Sequence, residues 1–143
     1  MRRIPSIRKV MTPFPHSVEI DDPVARVREM MTEHDIRHVP VMDRGRLTGV
    51  VSDREVELAL DPRLSRPSGE VPTVREICAS DVYIVESTQP LDSVLMHMAQ
   101  NGIDAAVVVK DDRLAGIFTM TDAAHVLGDL LRTLFPPGGD DAA

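Results

Sequence analysis

Tryptophan is missing from the chain, tyrosine and cysteine occur once each, and phenylalanine occurs three times. With so few aromatics, packing falls to aliphatic residues and eight methionines, which argues against recognition of bases by aromatic stacking. A single cysteine, Cys78, rules out an internal disulfide and fits a reducing compartment. Long apolar runs are also lacking: AAVVV ends at Lys110 and is far too short to cross a bilayer. The opening MRRIPSIRKV is basic, but no apolar stretch of a signal peptide follows it. Cationic residues are outnumbered, 16 Lys and Arg against 23 Asp and Glu, giving a formal charge of -7. That balance argues against nucleic acid or an anionic membrane as partner. The expectation is a soluble, cytoplasmic protein of one domain or two very small ones.

What the chain has is a repetition. RLTGVVSDRE, Arg46 to Glu55, returns as RLAGIFTMTD, Arg113 to Asp122. Sliding the sequence by 67 residues aligns Ser6–Glu55 with Thr73–Asp122 without a gap. Eleven columns are identical, among them Arg8/Arg75, Pro23/Pro90, Val27/Val94, Met31/Met98 and Gly49/Gly116. Unrelated sequences of ordinary composition would give roughly three.

Each copy carries the same local signals. Asp22-Pro23 reads as an N-cap followed by proline in the first turn, and Thr88-Gln89-Pro90 repeats that signal. Val24, Val27, Met30 and Met31 fall on one helical face, as do Leu91, Val94, Leu95 and Met98. HVPVM and AAVVV read as buried strands, and turns at Asp43–Gly45 and Lys110–Asp112 lead into second strands. Helices are expected from about Asp53 to Leu60 and about Asp122 to Leu134. The expected organisation is a first unit at 1–60, an exposed linker at 61–72, a second unit at 73–135 and a disordered tail at 136–143. Neither unit is long enough to bury its own sheet well, so the two are expected to pack together with pseudo-two-fold symmetry, forming a cleft.

The doubled layout, with HDIRHVPVMDRGRLTGVVSDRE in one copy and NGIDAAVVVKDDRLAGIFTMTD in the other, resembles the tandem CBS-domain, or Bateman, module. The family pattern of glycine, two apolar residues and Ser/Thr-x-x-Asp is met by Gly116-Ile117-Phe118-Thr119-x-x-Asp122. The first copy has Gly49-Val50-Val51-Ser52-x-x-Glu55, with glutamate for aspartate. The resemblance implies an α+β fold in which each CBS unit is a small sheet with two packed helices. It also implies a homodimer, no catalysis, no required cofactor, and an adenosine-containing ligand in the inter-repeat cleft, sensed on behalf of a separate effector protein. AMP, ADP or ATP ranks ahead of NAD or S-adenosylmethionine.

The residue types suit such a ligand. Asp122 can accept from both vicinal ribose hydroxyls. Thr119 can donate to a phosphate oxygen, with the amides of the following helix as an anion site. Ala106 and Val107, with Val39 and Pro40 as their first-copy counterparts, would offer adenine an apolar wall and backbone polar groups. Ser52 and Glu55 are the matching ligand-binding candidates in the first copy, and Arg37, His38 and Arg54 surround them and can neutralise phosphates. Asp104, Ala105 and Thr121, their counterparts, cannot. The same Ser/Thr-x-x-acid spacing is also a capping box, and the extra methylene of Glu55 favours that role in the first copy. His34 and His38 have the spacing of a zinc pair, but the helix is expected to end near Asp35, which separates them. Cys78 aligns with Met11 and reads as a packing residue.

Overall fold

Both β-branched runs pair as hairpins, and Val39–Val41 and Ala106–Val109 are buried without a break, as in strands covered on both faces. The computed structural model describes residues 2–13, 15–64, 69–79 and 81–138. The first two strands of the chain are short, β1 (Thr12–Pro13) and β2 (Val18–Glu19), and helix α1 (Val24–His34) follows. Strand β3 (His38–Asp43) then runs antiparallel to β4 (Arg46–Ser52), with His38 opposite Ser52. After α2 (Asp53–Ala59) and the short α3 (Val74–Ile77), the second copy supplies β5 (Tyr83–Glu86) and α4 (Leu91–Asn101). Its hairpin of β6 (Ala105–Lys110) and β7 (Arg113–Thr119) places Ala105 opposite Thr119, and α5 (Met120–Leu134) closes the order. The sheets are β2-β3-β4 and β1-β7-β6-β5, an α+β arrangement.

The two hairpin loops have positive φ at both central residues, Arg44 (51°) and Gly45 (79°) in one, Asp111 (52°) and Asp112 (60°) in the other. Two-residue hairpin turns of this hand match strand twist and favour glycine at the second position. Asp112 occupies that position without glycine's freedom. Asp112→Gly is therefore expected to raise stability by up to about 1 kcal/mol, seen as a melting temperature higher by a few degrees.

Helix α1 buries Val24, Val27 and Met31, and α4 buries Leu91, Val94 and Met98, the spacing of one helical stripe. Both end on a left-handed residue, Asp35 at φ 52° and Gly102 at φ 62°. Their starts differ from expectation. The N-caps are Pro23 and Pro90, with no side-chain cap bond. The Asp22 carboxylate instead accepts from the Glu19 amide at 2.9 Å. A backbone carbonyl from elsewhere takes each first amide: Val24 N–H donates to Pro72 at 3.0 Å and Leu91 N–H to Pro5 at 2.9 Å.

Those carbonyls expose how the chain divides. One compact unit is Phe14–Ile84, and the other combines Met1–Pro13 with Val85–Ala143. The repeat borders at 60 and 73 are thus not the borders of the bodies, because each copy's leader segment packs into the other copy's body. Ile7 N–H donates to Gln89 at 2.8 Å, and Val74 N–H makes the matching bond to Asp22 at 2.9 Å. Arg8 to Ser87 (3.2 Å) matches Arg75 to Ile20 (2.7 Å). Strand β1 pairs antiparallel with β7, Thr12 opposite Ile117, and an isolated bridge between Ala79 and Val50 is its counterpart. Ile7 and Val74 are each 0% exposed.

The 14–84 unit has a core dominated by valine, in which Val74 sits with Val24, Val27, Val39, Val41 and Val51. The other unit buries Ile7, Leu91, Val94, Ala106, Val107, Val108 and Phe118. In the expected linker, Leu64 and Val71 are exposed, while 65–68 lie outside the described residues. Of the expected disordered tail, 136–138 are exposed and 139–143 lie outside the described residues.

Candidate functional site

Both Ser/Thr-x-x-acid motifs stand where a hairpin strand turns into a helix, and both are closed as capping boxes. Ser52 Oγ accepts from Glu55 N–H at 3.5 Å, and Glu55 Oε2 accepts from Ser52 N–H at 3.0 Å. Thr119 Oγ1 accepts from Asp122 N–H at 3.3 Å, and Asp122 Oδ2 accepts from Thr119 N–H at 2.9 Å. These bonds satisfy helix-start amides that otherwise lack partners. The aspartate of the second copy caps as fully as the glutamate of the first, so the extra methylene does not distinguish them.

The second box contains one bond more. Thr119 Oγ1–H donates to Asp122 Oδ2 at 3.2 Å. A hydroxyl has a single proton, so Thr119 has none left for a phosphate oxygen while this bond stands. Thr119 can act as the expected phosphate donor only where a ligand replaces this bond. All of these bonds to the Asp122 side chain end on Oδ2; Oδ1 is not among them.

The remaining candidates divide by exposure. Ala106 and Val107 are 0% exposed, paired with Phe118 and Ile117 across the ladder. Val39 is also 0% exposed and pairs with Val51, and the buried Pro40 pairs with Val50. Their side chains are buried within their own units. Arg37, His38 and Arg54 do converge on the start of α2. The Arg37 carbonyl accepts Asp53 N–H at 2.9 Å, His38 lies opposite Ser52, and Arg54 is exposed one residue into the helix. The second copy repeats the backbone bond, Met120 N–H to the Asp104 carbonyl at 3.0 Å, without the cations.

His34 ends α1 and His38 begins β3, the separation expected from the sequence. The His34 ring stacks on His16 instead, with centroids 3.7 Å apart and planes inclined by 18°. His16 lies in a loop with no periodic neighbours, so nothing in the sequence pointed to it. No group of three or more possible metal ligands occurs among the described residues. Cys78 is half-buried and packs against the core of the 14–84 unit. Burial pushes its thiol up from the usual range and the nearby Glu55 carboxylate adds to this, so the group stays protonated and unreactive near neutrality. Among the described residues, no helix is long and apolar enough to cross a membrane.

The two glycines shared by the copies have a structural reason the motif alone did not reveal. A Cβ on Gly49 would lie 2.5 Å from the Ala79 carbonyl oxygen, and one on Gly116 would lie 2.7 Å from that of Thr12. The exchanged leaders pass directly over them.

Comparison with known proteins agrees with this architecture. Protein YhcV of Bacillus subtilis, a CBS domain-containing protein, is 25% identical over 119 residues, 83% of either chain. The crystal structure of AcuB from Vibrio cholerae superposes with a TM-score of 0.78 at 28% identity, covering 92% of this chain and 96% of that one. The CBS domain pair of protein MJ0100, crystallised with 5′-methylthioadenosine and S-adenosyl-L-methionine, gives a TM-score of 0.77 at 23% identity over 90% and 99% of the chains. The family model of the CBS domain matches twice, at residues 7–61 and 74–129. The chain belongs to the CBS domain family and carries two tandem copies of the domain.

Proposed function

We propose that this CBS pair is a regulatory, non-catalytic module that binds an adenosine-containing ligand of the AMP, ADP or ATP class and passes its occupancy to a partner protein. The carrying observation is the state of Asp122. The cap engages Oδ2 and fixes the carboxylate, leaving Oδ1, with its two lone pairs, to accept from the two vicinal hydroxyls of a ribose. The Arg37, His38 and Arg54 group brings donors for phosphates to the first copy's helix start, beside the acids Asp53 and Glu55. The MJ0100 pair, which shares the fold, holds adenosyl ligands, and this supports the ligand class. The working form is taken as a homodimer in the cytoplasm. Signalling requires that the ligand favour one of two states of the module and that the effector distinguish them.

A second function is favoured by a different observation. Both capping boxes are complete, and Ala106, Val107, Val39 and Pro40 are buried. A ligand-free protein-interaction module would look like this as well. Calorimetric titration with AMP and ATP decides between the two. Wild type is expected to bind, and Asp122→Ala to bind at least about tenfold more weakly, since hydrogen bonds to a charged group contribute about 1.5–3 kcal/mol. Thermal melting of Asp122→Ala without ligand controls for lost stability. Absence of heat with every adenosyl ligand, together with unshifted melting, selects the ligand-free module.

A further inference from the structure

The two leaders hold their bodies by the same backbone bonds but carry charge of opposite sign. Ile7 and Arg8 donate to the carbonyls of Gln89 and Ser87, as Val74 and Arg75 donate to those of Asp22 and Ile20. The loop under the second leader, Glu19–Asp22, contains three acids, and Asp21 holds the Arg75 guanidinium at 3.1 Å. The loop under the first leader, Glu86–Gln89, keeps one acid, Glu86, and has Thr88 and Gln89 where Asp21 and Asp22 would stand. The leaders diverge the other way. Positions 2–9 carry Arg2, Arg3, Arg8 and Lys9 and no acid, whereas the matching positions 69–76 carry Glu70, Arg75 and Glu76.

All four cations of the first leader are exposed, and among the described residues none of them has an ion-pair partner. The fold does not require them, because the second leader is held by matching bonds with two glutamates in its place. In a chain of net charge -7, this strip reverses the sign of the local field. The first leader also runs on into β1, which pairs with β7, the strand that ends at Thr119. The strip therefore lies on the same body as the Asp122 motif.

We propose that the first leader is a docking strip for an acidic, extended segment of the effector protein. Carboxylates of that segment would pair with Arg2, Arg3, Arg8 and Lys9, the arginines as two-pronged donors. An apolar residue of the segment would cover Ile4, which is 58% exposed. The proposal deepens the proposed function: it rests on that reading for the existence of an effector and assigns the surface that the effector uses. Nucleic acid fits less well, since it calls for stacking aromatics and positions 2–9 hold none. A membrane calls for more exposed apolar side chains than Ile4 supplies.

Fluorescence anisotropy of the full chain with a labelled octaglutamate peptide tests this. Wild type is expected to bind, more weakly as salt rises. Two variants neutralise the strip from opposite sides. Arg3→Glu/Lys9→Glu gives the first leader the charges of the second, and Thr88→Asp/Gln89→Asp restores the acids beneath it. Each is expected to raise the dissociation constant at least tenfold. Both place residue types that the other copy accommodates at the same positions, and thermal melting verifies folding. Arg28→Glu/Arg113→Glu changes the net charge as much as the first variant, at exposed sites elsewhere, and is expected to bind as wild type. Absence of octaglutamate binding, equal loss in this control, or no loss in either strip variant overturns the proposal. Tighter binding of a labelled oligothymidylate or of phosphatidylserine vesicles, lost in the strip variants, also overturns it by giving the strip to nucleic acid or membrane. Calorimetry with AMP reads the ligand separately: both strip variants are expected to bind it as wild type does. A wild type that binds octaglutamate but no adenosyl ligand overturns the ligand reading and leaves the docking strip standing.

Discussion

Ile7→Ala is expected to loosen the body of the second CBS copy and leave that of the first nearly untouched, although Ile7 belongs to the first copy by sequence. Its side chain is 0% exposed in the unit formed by residues 1–13 and 85–143. Truncating a fully buried isoleucine removes its transfer free energy and leaves a cavity, together about 2–5 kcal/mol. Folded domains hold only about 5–15 kcal/mol, so the loss is a large part of that unit's stability. Hydrogen exchange locates the effect: amides of Ala105–Thr119 should lose protection, while those of His38–Ser52 keep it. The mirror experiment is Val74→Ala, which lies in the core with Val39, Val41 and Val51 and should reverse the pattern. If Ile7→Ala deprotected His38–Ser52 instead, the leader exchange would be wrong.

Gly49→Ala is expected to cost about 1–3 kcal/mol, the range for forcing extra volume into a packed site. The obstacle is backbone. The new Cβ would stand 2.5 Å from the Ala79 carbonyl oxygen and 3.4 Å from the Cys78 Cβ. The same stretch holds Val50 N–H on the Ala79 carbonyl at 3.3 Å and Ala79 N–H on the Val50 carbonyl at 3.2 Å. No side-chain rotation relieves this, so the segment must move and strain both bonds. Gly116→Ala meets the Thr12 carbonyl at 2.7 Å and the flexible Met11 Sδ at 2.5 Å. Met11→Ala is therefore expected to recover part of the Gly116 loss and none of the Gly49 loss. Chemical denaturation of the single and double variants measures both. A Gly49→Ala protein as stable as wild type would show that the leader does not lie against the hairpin.

Much of the site was legible because its signals are local. Ser52 and Glu55 three apart at a strand end announce a capping box, and Thr119 and Asp122 announce another. Which other bonds the Thr119 hydroxyl makes was not legible. Its proton goes to Asp122 Oδ2, a choice set by side-chain positions and not by spacing. Ala106 and Val107 read as a ligand wall in the sequence, and that both are 0% exposed is set by packing that apolar spacing alone does not contain.

The sequence by itself determined the duplication, the hairpins, the helical stripes of α1 and α4, and the family, because periods of two and 3.6 residues and the 67-residue offset need only neighbouring positions. Only the tertiary structure decided that each leader completes the other copy's body. Ile7 and Val74 are near-equivalent apolar residues with the same hydrogen-bonding backbone, so either would fit either body by pattern. The choice between them depends on the path of the connecting chain in three dimensions, which a linear pattern does not contain.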